Sequence, residues 1–217
     1  MPGEFISAAE QCDLIHPLTF WSLNVAFREY HRLSEAVNNT RLSLNLSARL
    51  LDSHETPELI QSAINIWSMK PENLTLEVTE SAMMKDPKKA LEILKTLHSM
   101  GIALSIDDFG TGYSSLSYLR RLPVKELKID KSFVQQMATD LPNRQIVQSV
   151  IDLAHNLDMR VVAEGIEDEL TLDMLREMGC DFGQGYHIAR PMPLEKALSW
   201  ANKPAPGLSP DEAAGNP

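Results

Sequence analysis

The chain is poor in the residues that usually announce a soft-metal or redox site. Its 217 residues hold only two cysteines and six histidines. Cys12 and Cys180 are far apart and lack metal-type spacing, which excludes a thiolate zinc site and a disulfide-stapled small fold. Both read as reduced thiols of a cytoplasmic protein. The histidines (His16, His31, His54, His98, His155 and His187) share no spacing that suggests a ligand set. Long apolar runs are missing too, since no stretch approaches the roughly 18 to 20 apolar residues of a membrane helix. The start, Met1-Pro2-Gly3-Glu4-Phe5, has neither the basic region nor the apolar core of a secretory signal. Positive charge is scarce: 20 Lys and Arg face 30 Asp and Glu, a net charge of −10. A protein that tracks nucleic-acid phosphates is normally basic, so no DNA partner is expected. Gly110 and Gly112 do not sit in the strand–turn–helix setting of a dinucleotide-binding fingerprint.

What is present is an ordinary globular composition, 43% hydrophobic and 23% charged, on a chain long enough for one large core. Six strand-like runs recur, at 42–46, 74–78, 102–106, 126–129, 160–163 and 181–185. Between them, apolar residues fall at helical spacing in 58–66, 90–97, 146–154 and 170–178, and two further helices precede the first strand at 5–10 and 18–33. A strand and a helix every 25 to 33 residues or so is the size of a βα unit. Polar residues close nearly every strand: Asn45, Glu77, Asp107 with Asp108, Lys128, Glu164 and Gln184. A ring of this kind, drawn from many strands, predicts an α/β fold of the TIM-like (β/α) barrel type rather than a doubly wound sheet. Six strands are two short of the eight a barrel needs, so the barrel is expected to be incomplete, lacking its first-strand region. The Pro-, Gly- and Ala-rich residues 203–217 are expected to form a disordered tail beyond a domain at 1–202.

The adjacent pair Asp107-Asp108, at the end of an apolar run, is the strongest chemical signal. Two neighbouring carboxylates that lose hydration repel each other unless a cation compensates them. Acids and an amide without histidine or cysteine are hard oxygen donors, suited to Mg²⁺, Mn²⁺ or Ca²⁺. Two such ions, one acid bridging them, would clamp the attacking and leaving oxygens of a phosphoester displacement. Lys128, from the next strand end, can bind a phosphate oxygen or orient the attacking water.

Several motifs together resemble one family: Asn45-Leu46-Ser47-Ala48, Glu77-Val78-Thr79-Glu80, Asp107-Asp108-Phe109-Gly110-Thr111-Gly112-Tyr113-Ser114-Ser115-Leu116, Lys128-Ile129-Asp130, Glu164-Gly165-Ile166-Glu167 and Gln184-Gly185-Tyr186. In this order the motifs resemble the EAL-domain family, whose members hydrolyse cyclic di-GMP to linear pGpG. The resemblance implies Asn45, Glu77, Asp107, Asp108 and Glu164 as ligands of two Mg²⁺ or Mn²⁺ ions, with Asp107 bridging. It implies Lys128, Glu164 and Gln184 in catalysis, Glu80 anchoring the loop after Asp108, Asp130 orienting Lys128, and Glu167 as a supporting acid. It also implies a homodimer formed through the segment after Asp108, including a helix at 113–121.

One departure stands out. The family's name-giving Glu-Ala-Leu, whose Glu is a metal ligand on the first strand, is absent. Glu4-Phe5-Ile6-Ser7-Ala8-Ala9-Glu10 resembles the segment that follows it, so the chain is expected to lack some 30 to 40 residues of the family's barrel by the repeat size. A second function therefore stays open: a non-catalytic cyclic di-GMP receptor or a protein-interaction module.

Overall fold

The computed structural model describes residues 2–12, 14–112 and 116–201, without the side chains of 2–5 and 7. The expected tail at 203–217 and the start of the expected helix at 113–121 lie outside the described residues. In chain order the elements are α1 (Pro2–Gln11), α2 (Ile15–Ala36), β1 (Leu42–Asn45), α3 (Thr56–Trp67), β2 (Leu74–Thr79), α4 (Glu80–Lys85), α5 (Pro87–Ser99), β3 (Ala103–Phe109), α6 (Leu116–Leu119), β4 (Glu126–Ile129), α7 (Lys131–Val134), α8 (Leu141–Asn156), β5 (Arg160–Glu164), α9 (Glu169–Glu177), β6 (Phe182–Gln184) and α10 (Leu194–Ala201). Short 3₁₀ turns at Ala48–Asp52 and Pro71–Asn73 lead into α3 and β2.

The helices start and stop where the backbone chemistry requires. Asp86 caps α5 by accepting from Lys89 N at 3.2 Å, and Pro87 fills the first turn, where a missing N–H costs nothing. Ala90, Leu91, Ile93, Leu94 and Leu97 then form one buried stripe. Full burial of a side chain such as Leu94 contributes roughly 1.5–3 kcal/mol. Gly101, at φ +88°, turns the chain back into β3. Asp168 caps α9 in the same way, accepting from Thr171 N at 2.8 Å.

The strands form one six-stranded sheet in the order β1-β2-β3-β4-β5-β6, and every neighbouring pair is parallel. Spatial order equals chain order, which is the winding of a barrel; a doubly wound sheet reverses direction part-way. The fold is α/β, a TIM-like half-barrel. On one face Leu76, Val78, Leu104, Ile106, Leu127, Ile129, Val161 and Ala163 join the buried core with Leu94 and Leu97 of α5 and Val147 and Ile151 of α8. The other face turns inward and is polar. The last helix meets the second across the open side, with Arg32 Nη2 of α2 2.5 Å from Glu195 Oε1 of α10.

One strand departs from expectation. The apolar run at 102–106 was expected to end at the two acids, yet β3 continues through both to Phe109. It does so by slipping register between Ile106 and Phe109 against β4.

Candidate active site

Successive residues of a strand point to opposite faces, so Ser105 and Asp107 share the inward face of β3. Glu77 of β2, Lys128 of β4 and Glu164 of β5 face the same space. Lys128 Nζ lies 2.6 Å from Glu164 Oε1, 2.8 Å from Glu77 Oε2 and 3.2 Å from Asp107 Oδ1. Lys128 is only 4% exposed, Glu77 7% and Asp107 8%. One ammonium thus joins acids from three different strands in a nearly dry space.

By strict alternation Asp108 would point away from Asp107, into the helical layer. The register slip prevents this. Asp108 adopts a left-handed backbone at φ +53°, a conformation that Asp tolerates better than most residues. Its N–H donates to Asp107 Oδ1 at 3.1 Å. A bulge of this kind re-aims a side chain, and here it turns both acids to one rim. As a result Asp107, Asp108 and Glu164 each offer a carboxylate oxygen, all within 4.8 Å of one another. Such a set can hold a metal ion, and all-oxygen donors fit a hard divalent cation.

The charge balance supports that fit. Four acids (Glu77, Asp107, Asp108 and Glu164) face one ammonium. Burial lifts the Glu164 carboxyl above its ordinary value; the Lys128 hydrogen bond opposes this, and the charges on Asp107 and Glu77 reinforce it. Burial also lifts Asp108, helped by Asp107, Asp130 and Glu164. Burial disfavours a charged Lys128, but its hydrogen bonds to Glu164 and Glu77 outweigh this and hold the ammonium above the usual lysine range. Both partners of the Lys128–Glu164 pair therefore move upward. The reason is that one cation is shared among several anions, so each acid is only partly compensated.

The other expected residues surround this cluster. Asn45 ends β1 in register with Glu77, exposed at the sheet edge. Beside it a cavity of about 470 Å³ opens between α1, α2 and β1, lined by Ile6, Leu18 and Leu44 among others. Gln184 is in register with Glu164, and the two line a cavity of about 230 Å³ with Gly185 and Tyr186. Glu80 is 3% exposed, and its Oε2 accepts from Gly110 N and Gly112 N, both at 3.2 Å. Glu167 accepts from Gln135 Nε2 at 2.9 Å. Asp130 caps α7 by accepting from Ser132 N at 2.9 Å and faces Asp108. Burial would lift Asp130, but the hydrogen bonds from Ser132 hold it below the ordinary value.

Sequence reasoning passed over a second polar layer beneath the rim. Ser105 pairs in register with Glu126, and Glu126 with Arg160. Arg160 Nη2 lies 3.7 Å from Glu126 Oε2, and its guanidinium lies over the Phe182 ring at 5.4 Å. The signal was there: Ser105 and Glu126 each stand two residues before a rim residue in an otherwise apolar strand.

The profile of the EAL domain family matches residues 1–191, most of the chain. The chain belongs to the EAL domain family. Among its relatives, the bifunctional diguanylate cyclase/cyclic di-GMP phosphodiesterase MucR of Pseudomonas aeruginosa is 40% identical over 199 residues, covering 91% of this chain and 29% of that protein. The cyclic di-GMP phosphodiesterase NbdA of the same organism is 39% identical over 194 residues, covering 89% of this chain and 25% of that protein. This EAL domain thus spans about a quarter to a third of those relatives. A solved structure of the PaMucR phosphodiesterase in complex with c-di-GMP superimposes with a TM-score of 0.87 at 39% identity, covering 91% of this chain and 80% of that one. The EAL domain of Mycobacterium smegmatis DcpA superimposes at 0.80 with 34% identity, covering 86% of this chain and 84% of that one.

Proposed function

We propose that this EAL domain hydrolyses cyclic di-GMP to linear pGpG with divalent metal, Mg²⁺ or Mn²⁺, in the cytoplasm. The observation that carries the reading is the convergence of Asp107, Asp108 and Glu164 within 4.8 Å beside a buried lysine. The kinship with proteins named cyclic di-GMP phosphodiesterases supplies the substrate. In this reading Asn45, Glu77, Asp107, Asp108 and Glu164 would hold two ions. When bound, the ions polarise the phosphodiester and lower the pKa of the attacking water.

The chain's own groups have separable tasks. Lys128, held by hydrogen bonds to Glu164 and Glu77, orients the water and offsets negative charge. Glu164, beside Lys128 and facing the rim cavity, is placed to take the proton of the attacking water. Water oxygen bonds to phosphorus as the bond to the ribose 3′ oxygen breaks, and the proton passes to that leaving oxygen. Gln184 lines the cavity beside Glu164 and presents its amide to water or phosphate. Glu80 fixes the loop that carries Asp108, through Gly110 and Gly112. Homodimerisation through the segment after Asp108 belongs to the same reading.

The test is chromatographic detection of pGpG from cyclic di-GMP and Mn²⁺, with Asp107→Ala as the control. Metal-dependent product from the wild type and none from the variant is expected. Tight binding without product would replace hydrolysis by a receptor role, and neither binding nor product would overturn the reading.

A further inference from the structure

Ser105, on the inward face, takes no part in the ion pairs. Ser105 is 0% exposed, and its hydroxyl has no hydrogen-bond partner among the described residues. It stands on β3 two residues before Asp107 and pairs in register with Glu77 on one side and Glu126 on the other. A buried hydroxyl without a partner is unfavourable, and alanine at the same place would avoid that cost. Glu126 is engaged by Arg160. Glu77 has its Oε2 held by Lys128 at 2.8 Å. Neighbouring strands run about 4.8 Å apart, so the Ser105 hydroxyl stands within reach of a Glu77 carboxylate turned toward it.

We propose that Ser105 is a positioning residue for Glu77, its hydroxyl donating to that carboxylate when a divalent ion competes with Lys128 for the cluster's oxygens. The inference rests on reading this rim as a metal site. Lys128 spreads its hydrogen bonds over three acids. A cation drawn to the same oxygens weakens the lysine's hold on Glu77, which then needs a second donor to stay aimed at the rim. Ser105 is the buried, uncommitted donor beside it. Outer donors of this kind typically change metal affinity about 10–100-fold.

The test is Mn²⁺ calorimetry on the full chain for wild type, Ser105→Ala and Ser105→Cys, with thermal melting of each in EDTA. Both variants are expected to bind Mn²⁺ about 10–100-fold more weakly. Melting of the metal-free alanine variant is expected to be unchanged or higher, because an unpaired donor has been removed. A serine that only fills space would shift melting and leave Mn²⁺ affinity alone. A folded variant that binds Mn²⁺ like the wild type overturns the proposal and leaves the metal reading standing. Cysteine, close to serine in volume and a weak donor, decides the matter if alanine does not fold. A wild type that binds no Mn²⁺ overturns both.

Discussion

The Lys128 ammonium lies 2.6 Å from Glu164 Oε1, across the pairing of β4 with β5, and is 4% exposed. Its positive charge is what makes Glu77, Asp107 and Glu164 tolerable together before any metal arrives. Replacing it by methionine keeps the bulk and deletes the charge. Removing one partner of a buried ion pair costs roughly 3–5 kcal/mol, a fall in Tm on the order of 10 °C for a domain of this size. Lys128→Met should therefore melt well below the wild type in EDTA, and Mn²⁺ should raise its Tm by more than it raises the wild type's. Hydrolysis should fall at least about 100-fold, the usual contribution of a group that positions a proton transfer. Equal Mn²⁺ shifts in both proteins would mean that the lysine and the ion do not share the same oxygens.

The raised carboxyls of Glu164 and Asp108 give a pH prediction with a definite sign. Each is lifted above its ordinary value, 4.5 for Glu164 and 3.8 for Asp108. The folded, metal-free protein therefore binds these protons more tightly than the unfolded chain does. Their effect on stability is unfavourable at high pH and is relieved as pH falls through the raised values toward 4.5 and 3.8. Metal binding needs the same acids deprotonated, so it weakens over the same interval. Comparison with Glu164→Gln isolates Glu164 together with the acids coupled to it, Asp107, Glu77 and Asp108. As pH falls toward 4.5 the wild type in EDTA should gain Tm relative to that variant, while its Mn²⁺ affinity drops. A difference in Tm that does not vary with pH would show that Glu164 titrates normally.

Much of the rim could be read directly in the sequence, because a parallel strand places its last inward residue predictably. Glu77, Lys128 and Glu164 each follow a buried apolar neighbour near the end of a strand, Gln184 ends the exposed β6, and the sheet brings all four to one side. What could not be read is how adjacent acids serve one site. Alternation alone sends Asp107 and Asp108 to opposite faces, and only the register slip with Asp108 at φ +53° unites them. Asp130 illustrates the converse. The family resemblance implies that it orients Lys128, and the structure adds a use the motif does not reveal: its carboxylate accepts from Ser132 N–H at the start of α7. The layer of Ser105, Glu126 and Arg160 was hidden because a polar residue inside a strand is ambiguous until its neighbours are known.

Two glycines separate the fold from the site. At Gly185 an added Cβ would lie 2.1 Å from Ile166 O and 2.3 Å from Ile166 N. Those are backbone atoms tied into the same turn, since Ile166 N donates to Gln184 O at 3.1 Å and His187 N donates to Ile166 O at 3.0 Å. They cannot swing aside, so Gly185→Ala must push the 184–186 segment away from Glu164. Overpacking of this kind costs roughly 1–3 kcal/mol or more. Gly179, at φ +79° with nothing within 4 Å, meets only backbone strain, so Gly179→Ala should cost about 1–2 kcal/mol through the chain's conformation alone. Both variants should melt lower than the wild type. Only Gly185→Ala should also lose cyclic di-GMP affinity, because it displaces the Gln184 amide from the cavity it shares with Glu164. Calorimetric titration of the dinucleotide into each protein separates the two effects. If both variants bind like the wild type, Gln184 lies outside the substrate's reach, and the site is confined to the acids and Lys128.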